Sequence, residues 1–241
     1  MLTRMRDFGI KRLLHRDLVS HPATHAWVLN LYRAGERHPE FVEDYFPIAH
    51  APWSELAQDL TRHKGDEQRH ARMYTGAIVR LGEPVCEMEG QDVFNEVIRS
   101  FTPGSFRIRD DDDDATKRDK LAQFLAHAHF LEKRIQTSLR LHLEACEWAK
   151  RHAVAAVVAK VLEDEDRHVR YTREGVAALA TRGRTATILE THRRAEAKAN
   201  LAFSEIHMRY HLRAHPSLVK PGRRLLYSLC ATLMNEAISH V

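Results

Sequence analysis

Two pentapeptides restrict this chain more than any other feature: Asp66-Glu67-Gln68-Arg69-His70 and Asp164-Glu165-Asp166-Arg167-His168. On a helix, the three-residue step from Glu to His aims both side chains at one point. Both copies also fall where a core-facing apolar stripe should run. Trp53, Leu56, Ala57 and Leu60 lead into the first, and Tyr74, Ala77, Ile78 and Leu81 continue it; Val154, Val157, Val158 and Val161 lead into the second, with Val176 and Leu179 beyond. A further glutamate precedes each copy, Glu36 lying 31 residues before Glu67 and Glu132 lying 33 before Glu165. An ionised carboxylate buried alone is costly enough to block folding, so four of them on apolar stripes need partners. Two divalent cations would neutralise four carboxylates, and a set of oxygen and imidazole donors without sulfur suits iron or manganese.

With 17 histidines and 33 acidic residues among 241, about one bare Glu-x-x-His is expected by accident, but requiring the flanking Asp and Arg lowers the expectation to the order of 0.01 per chain. Two such copies therefore argue against a pair of surface helices with locally satisfied histidines. The length is that of one domain able to bury a substantial core. Only 10 glycines and long stretches without turn formers favour an all-α fold. The net charge of +4 is too mild to indicate a nucleic-acid ligand. Its excess lies at the ends: residues 182–241 carry ten Lys or Arg against four Asp or Glu. A solvated face is the simplest use of that excess, and docking of an acidic redox partner the sharper one. Cys86, Cys146 and Cys230 are odd in number and far apart, which indicates neither a disulfide framework nor a zinc knuckle and fits a reducing cytoplasm. No apolar stretch is long enough for a membrane span.

Helix signals divide the single domain 1–241 into three parts. Residues 1–20 read as a basic amphipathic helix using Leu2, Met5, Ile10, Leu13, Leu14 and Leu18, with Arg4 and Arg6 among its charges. Residues 21–182 read as a four-helix core. Its first helix opens at Pro22 and ends before Pro39, and its second runs from Pro52 to Gly82. A long crossover, 83–116, contains a short helix near Val93 to Phe101 and a turn of five aspartates, Asp110 to Asp114, with Asp114 a candidate cap. The third and fourth helices span 117–148 and 152–179. Residues 183–241 add two C-terminal helices, the last with Leu225, Leu226, Leu229, Leu233, Met234 and Ile238 as its expected inner face.

Three more residues adjoin the motifs. His129 lies one turn before Glu132 and is a candidate seventh ligand or proton carrier, with a hydrogen-bonded core histidine as the blander reading. Tyr32, one turn before Glu36, and Tyr74, one turn beyond His70, suit electron transfer, a pocket wall or plain core packing. Gly35 leaves room beside Glu36.

One Glu from each of two helices and Glu-x-x-His from each of two others resembles the ligand pattern of ferritin-like di-iron carboxylate proteins, over about residues 22–179. The resemblance implies a ferritin-like four-helix bundle holding two iron ions, or manganese or a mixed pair. Glu36 and His70 would bind the first ion and Glu132 and His168 the second, with Glu67 and Glu165 as the bridging, catalytic carboxylates. It also implies that Asp66 and Asp164, helped by Arg69 and Arg167, orient ligand histidines, including the histidine across the bundle. The Asp-Glu-x-Arg-His form is similar to that of the oxygen-activating members. The expected activity is therefore an O2-dependent oxidoreductase acting on a small or carrier-bound organic substrate, reduced by an external electron-donor protein. The alternative is a rubrerythrin-like or ferritin-like peroxidase or iron-handling protein. A homodimer is a further expectation. Two features depart from the pattern: Pro39 closely follows Glu36, and the helices after residue 184 lie outside the common core.

Overall fold

The computed structural model describes the backbone of residues 2–241 and the side chains of residues 9–181 and 183–241. Among the described residues all regular structure is helical, without a strand. The helices are α1 (Leu2–Ser20), α2 (Pro22–Arg37), α3 (Ser54–Arg80), α4 (Phe94–Phe101), α5 (Asp114–Trp148), α6 (His152–Leu179), α7 (Arg182–Ala214) and α8 (Pro221–Ile238). The side chains of Leu2, Arg4, Met5 and Arg6, assigned above to an amphipathic helix, lie outside the described residues.

Local chemistry sets the ends that matter for the site. Pro22 occupies the first turn of α2, where its missing N–H is no loss. The helix stops one residue after Glu36, and a 3-10 turn over His38–Glu40 takes in Pro39. Helix α3 ends where Gly82 adopts φ +75°, open to glycine at little cost. The cap of α5 is Asp113, whose carboxylate accepts the Thr116 N–H at 2.7 Å, so the expected cap at Asp114 is one residue late. Its neighbour Asp112 is engaged by Lys120 at 2.5 Å. The aspartate run is thus a capped, charge-paired turn.

Helices α2 and α3 run antiparallel, since Glu36 meets His70 while Asn30 reaches the Pro84 carbonyl. Helices α3 and α6 also run antiparallel, with His63 beside Tyr171, Asp66 beside His168 and His70 beside Asp164. Helices α5 and α6 form the most extensive interface. Gly175 permits their close approach, because a Cβ there would lie 2.7 Å from Leu125 Cδ1.

Apolar clusters close the site above and below. One gathers Ala26, Leu29, Tyr74, Ile78, Leu139, Val158 and Val161, and the other Phe46, Leu56, Leu60, Leu121, Leu125, Val176 and Leu179. The two pentapeptides occupy the polar layer between them. Helix α7 packs on α4 and α5, and α8 packs on α7. The inner face of α8 keeps only part of the expected stripe, with Leu226 and Met234 packed inward. Leu225, Leu229 and Leu233 are 75%, 56% and 55% exposed, while Tyr227, Cys230 and Ala231 are buried. The Tyr227 hydroxyl donates to Asp17 at 2.5 Å, and the small Cys230 and Ala231 allow close packing, which together turn those three leucines outward.

Candidate metal centre

Seven acidic or imidazole side chains from four helices meet in the polar layer, each 6% exposed or less: Glu36, His63, Glu67, His70, Glu132, Glu165 and His168. They form two overlapping donor groups, Glu36, Glu67, His70 and Glu165 in one and His63, Glu67, Glu132 and His168 in the other. The donor atoms within each group lie within 4.8 Å of one another. Glu67 belongs to both. Glu165 belongs to the first, and its Oε2 also lies 3.2 Å from Nδ1 of His168. His70 Nδ1 lies 3.0 Å from Glu36 Oε2 and 3.7 Å from Glu165 Oε1. All six residues singled out as ligands from the sequence are therefore brought together.

The seventh, His63, was missed. It lies one turn before Glu67 on α3, and its Nε2 is 3.1 Å from Glu67 Oε1 and 3.4 Å from Glu132 Oε1. Tyr171 holds its other nitrogen at 2.7 Å, and its ring stacks on that of His168 with centroids 3.6 Å apart. The signal was present, because a stripe stepping from Leu60 to Glu67 must pass through His63 at the helical spacing. His129, the expected extra imidazole, stands outside both groups, with Nδ1 3.0 Å from the Val169 carbonyl oxygen.

The outer nitrogens of the paired histidines are engaged crosswise. His168 Nε2 lies 3.2 Å from Asp66, and His70 Nε2 lies 3.3 Å from Asp164. Arg69 binds Asp66 and Asp164 at 2.6 Å each. Arg167 binds Asp164 at 3.2 Å and also Asp66. A carboxylate accepting from Nε2–H fixes the tautomer and leaves the Nδ1 lone pair directed at the clustered glutamates.

Electrostatics separate the two shells. Burial and the neighbouring carboxylates push Glu36 and Glu165 up, and burial with the charge of Glu36 pushes Glu67 to about 8. Glu132 lies below its usual value because the hydrogen bond and charge of His63 outweigh its burial. Asp66 and Asp164 are also held low against burial, by hydrogen bonds from His168 and Arg69 for the first and from His70 and Arg69 for the second. Asp66, Asp164 and Glu132 stay charged, whereas Glu36, Glu67 and Glu165 need a cation to do so. Two inner oxygens, Glu132 Oε2 and Glu165 Oε1, are buried without a hydrogen-bond partner, one in each donor group. Four carboxylates and three imidazoles with orphaned oxygens fit two divalent cations of intermediate hardness.

Tyr32 and Tyr74 pack together with ring centroids 5.7 Å apart, and both hydroxyls are buried without partners. Tyr32, Gly35 and Glu36 also line a cavity of about 140 Å³ between α2, α5 and α7, walled by Leu31, Ile135 and Phe203. Asn95 from α4 takes the space left by Gly35, its Oδ1 unpartnered and 3.3 Å from where a Cβ would stand. A wider cleft of about 1230 Å³ between the α2–α3 connection and the α4–α5 connection is lined by none of the clustered donors. Phe46, in its wall, packs 4.9 Å from the ring of His63.

No family model, no curated protein and no solved structure matches this chain.

Proposed function

We propose that the chain is a ferritin-like di-metal carboxylate oxidoreductase that uses O2 to oxidise a small, largely apolar organic substrate. The observation carrying this reading is the pair of overlapping four-donor groups that share Glu67 inside a closed apolar core. Glu36 and His70 would hold one ion and His63, Glu132 and His168 the other, with Glu67 and Glu165 reaching both. Iron fits this donor set, as does manganese. A reduced iron pair, when bound, supplies electrons to O2.

The chain's own residues do the rest. Asp66 and Asp164 hold His168 and His70 in one tautomer and orientation. Arg69 and Arg167 keep those two carboxylates charged and fixed. Leu60, Leu125, Ile78 and Val161 exclude bulk water from both ends of the layer. The 140 Å³ cavity reaches Glu36 itself, and a cavity of about that size accommodates a ring of benzene dimensions. Its mostly apolar walls, with Leu31, Ile135 and Phe203, favour an apolar body. The basic C-terminal region suits an acidic electron donor. No helix among the described residues is long and apolar enough to cross a membrane.

The test is O2 consumption by the iron-loaded chain with a chemical reductant, comparing wild type with Glu67→Ala. Reductant-dependent O2 uptake abolished in the variant supports the reading. Turnover with hydrogen peroxide but none with O2 replaces it with a peroxidase.

A further inference from the structure

A second cluster of metal-binding groups lies outside the centre described above. His25 of α2 and His142 and Cys146 of α5 are fully buried and place their donor atoms within 4.8 Å of one another. His142 and Cys146 are one helical turn apart and so share a face. His25 Nε2 lies 3.1 Å from His142 Nε2 and 3.7 Å from Cys146 Sγ. Around a tetrahedral ion with bonds of about 2.0–2.1 Å to nitrogen and about 2.3 Å to sulfur, two nitrogens stand about 3.3 Å apart and nitrogen and sulfur about 3.6 Å apart. The observed separations match those edges to within about 0.2 Å.

A single hydrogen bond between the two imidazoles uses only one of these contacts. A neutral imidazole nitrogen carries one hydrogen or one lone pair, yet His25 Nε2 faces both an imidazole nitrogen and a sulfur. One ion satisfies all three donors at once. On the far side of the His142 ring, Nδ1 faces Nδ1 of His15 at 3.3 Å. With Nε2 given to a metal, the remaining N–H donates to His15, the outer support typical of ligand histidines. Burial keeps the imidazoles neutral, the form that ligates: it lowers His15 to about 3, His25 to about 4 and His142 well below its usual value. His15, the outer neighbour of His142, also lines the 140 Å³ cavity.

We infer that His25, His142 and Cys146 form a separate site for one thiophilic ion, Zn2+ or Cu+, with His15 orienting His142. One thiolate and two imidazoles without a carboxylate set this site apart from the glutamate-rich pair. The ion would tie α2 to α5, with α1 held through His15. The inference stands whether or not the paired centre activates O2.

The experiment is metal titration of the metal-free full-length chain. Co2+, displaced afterwards by Zn2+, reports a thiolate ligand through its charge-transfer absorption, and an anaerobic Cu+ arm with a chromophoric competitor reports the monovalent ion. One thiolate-bound ion per chain is expected in at least one arm. It should persist in Cys86→Ser, Cys230→Ser and Glu165→Ala and disappear in Cys146→Ser. His25→Gln, which keeps the thiol, should lose it as well, so the test does not depend on one variant folding. A wild-type chain with no thiolate band and no retained Zn2+ or Cu+ overturns the site, as does undiminished binding in folded Cys146→Ser.

Discussion

The Asp66 carboxylate lies 3.2 Å from Nε2 of His168, a histidine 102 residues away on the facing helix. The reciprocal pair, Asp164 and His70, closes at 3.3 Å. Each pentapeptide therefore places its Glu and His in the donor cluster and its Asp against the histidine of the other copy. Loss of one acid should be felt mainly at the opposite histidine.

Asp66→Asn keeps the shape but removes the charge that holds the His168 tautomer. A loss of about 10–100-fold in metal affinity or O2 uptake is expected, with helix content unchanged. Because Arg69 and Arg167 engage both aspartates, Asp164→Asn added to it should give a non-additive effect in a double-mutant cycle. Strict additivity would mean that the two halves act independently.

Glu67 is the one residue common to both donor groups, whereas Glu36 serves one. Glu67→Ala is therefore expected to lose both tightly held ions. Glu36→Ala should retain the ion near His168. Elemental analysis after desalting distinguishes the two, and equal behaviour would remove the bridging role from Glu67.

His63→Gln tests the ligand that sequence reasoning missed. The ion beside Glu132 and His168 should weaken by more than the ~10–100-fold typical of losing an outer partner. Competition with a chelator measures this directly. Unchanged affinity would reduce His63 to a packing residue.

Acid sensitivity follows from neutral buried histidines away from the centre. Burial lowers His127 to about 3 and His192 and His211 to about 4. Their folded values lie below the unfolded value near 6.5, so the unfolded chain binds more protons and stability falls with pH from about 6.5 toward 4. Thermal midpoints of the metal-free chain should drop across that window. His127→Gln should flatten the slope by up to about one proton.

Gly175→Ala should cost about 1–3 kcal/mol by overpacking, because the added Cβ meets Leu125 Cδ1 at 2.7 Å. Leu125→Ala should partly restore the double variant. Denaturant midpoints read both.

Much of this was legible in the chain because the signals are strong and local. Pro22, Pro39 and Gly82 mark helix ends, and a carboxylate and imidazole interrupting an apolar stripe are conspicuous on both α3 and α6. His63 escaped because an imidazole on an apolar stripe passes for an ordinary core residue until its neighbours are known. Asp113 and Asp114 are equivalent cap candidates by composition, and only backbone geometry separates them. The outward turn of Leu225, Leu229 and Leu233 was hidden because periodicity shows a helix's apolar face but not the contact that outweighs it, here Tyr227 on Asp17. In the cluster of His25, His142 and Cys146, His25 lies 117 and 121 residues before the other two and on a different helix, so no spacing rule reaches it.

Anomalous diffraction at the iron edge from crystals loaded with Fe2+ tests the central claim most directly. Two peaks are expected on either side of the Glu67 carboxylate, one against Glu36, His70 and Glu165 and the other against His63, Glu132 and His168. A single peak, or density confined to surface residues with the buried glutamates left bare, would contradict the dinuclear centre.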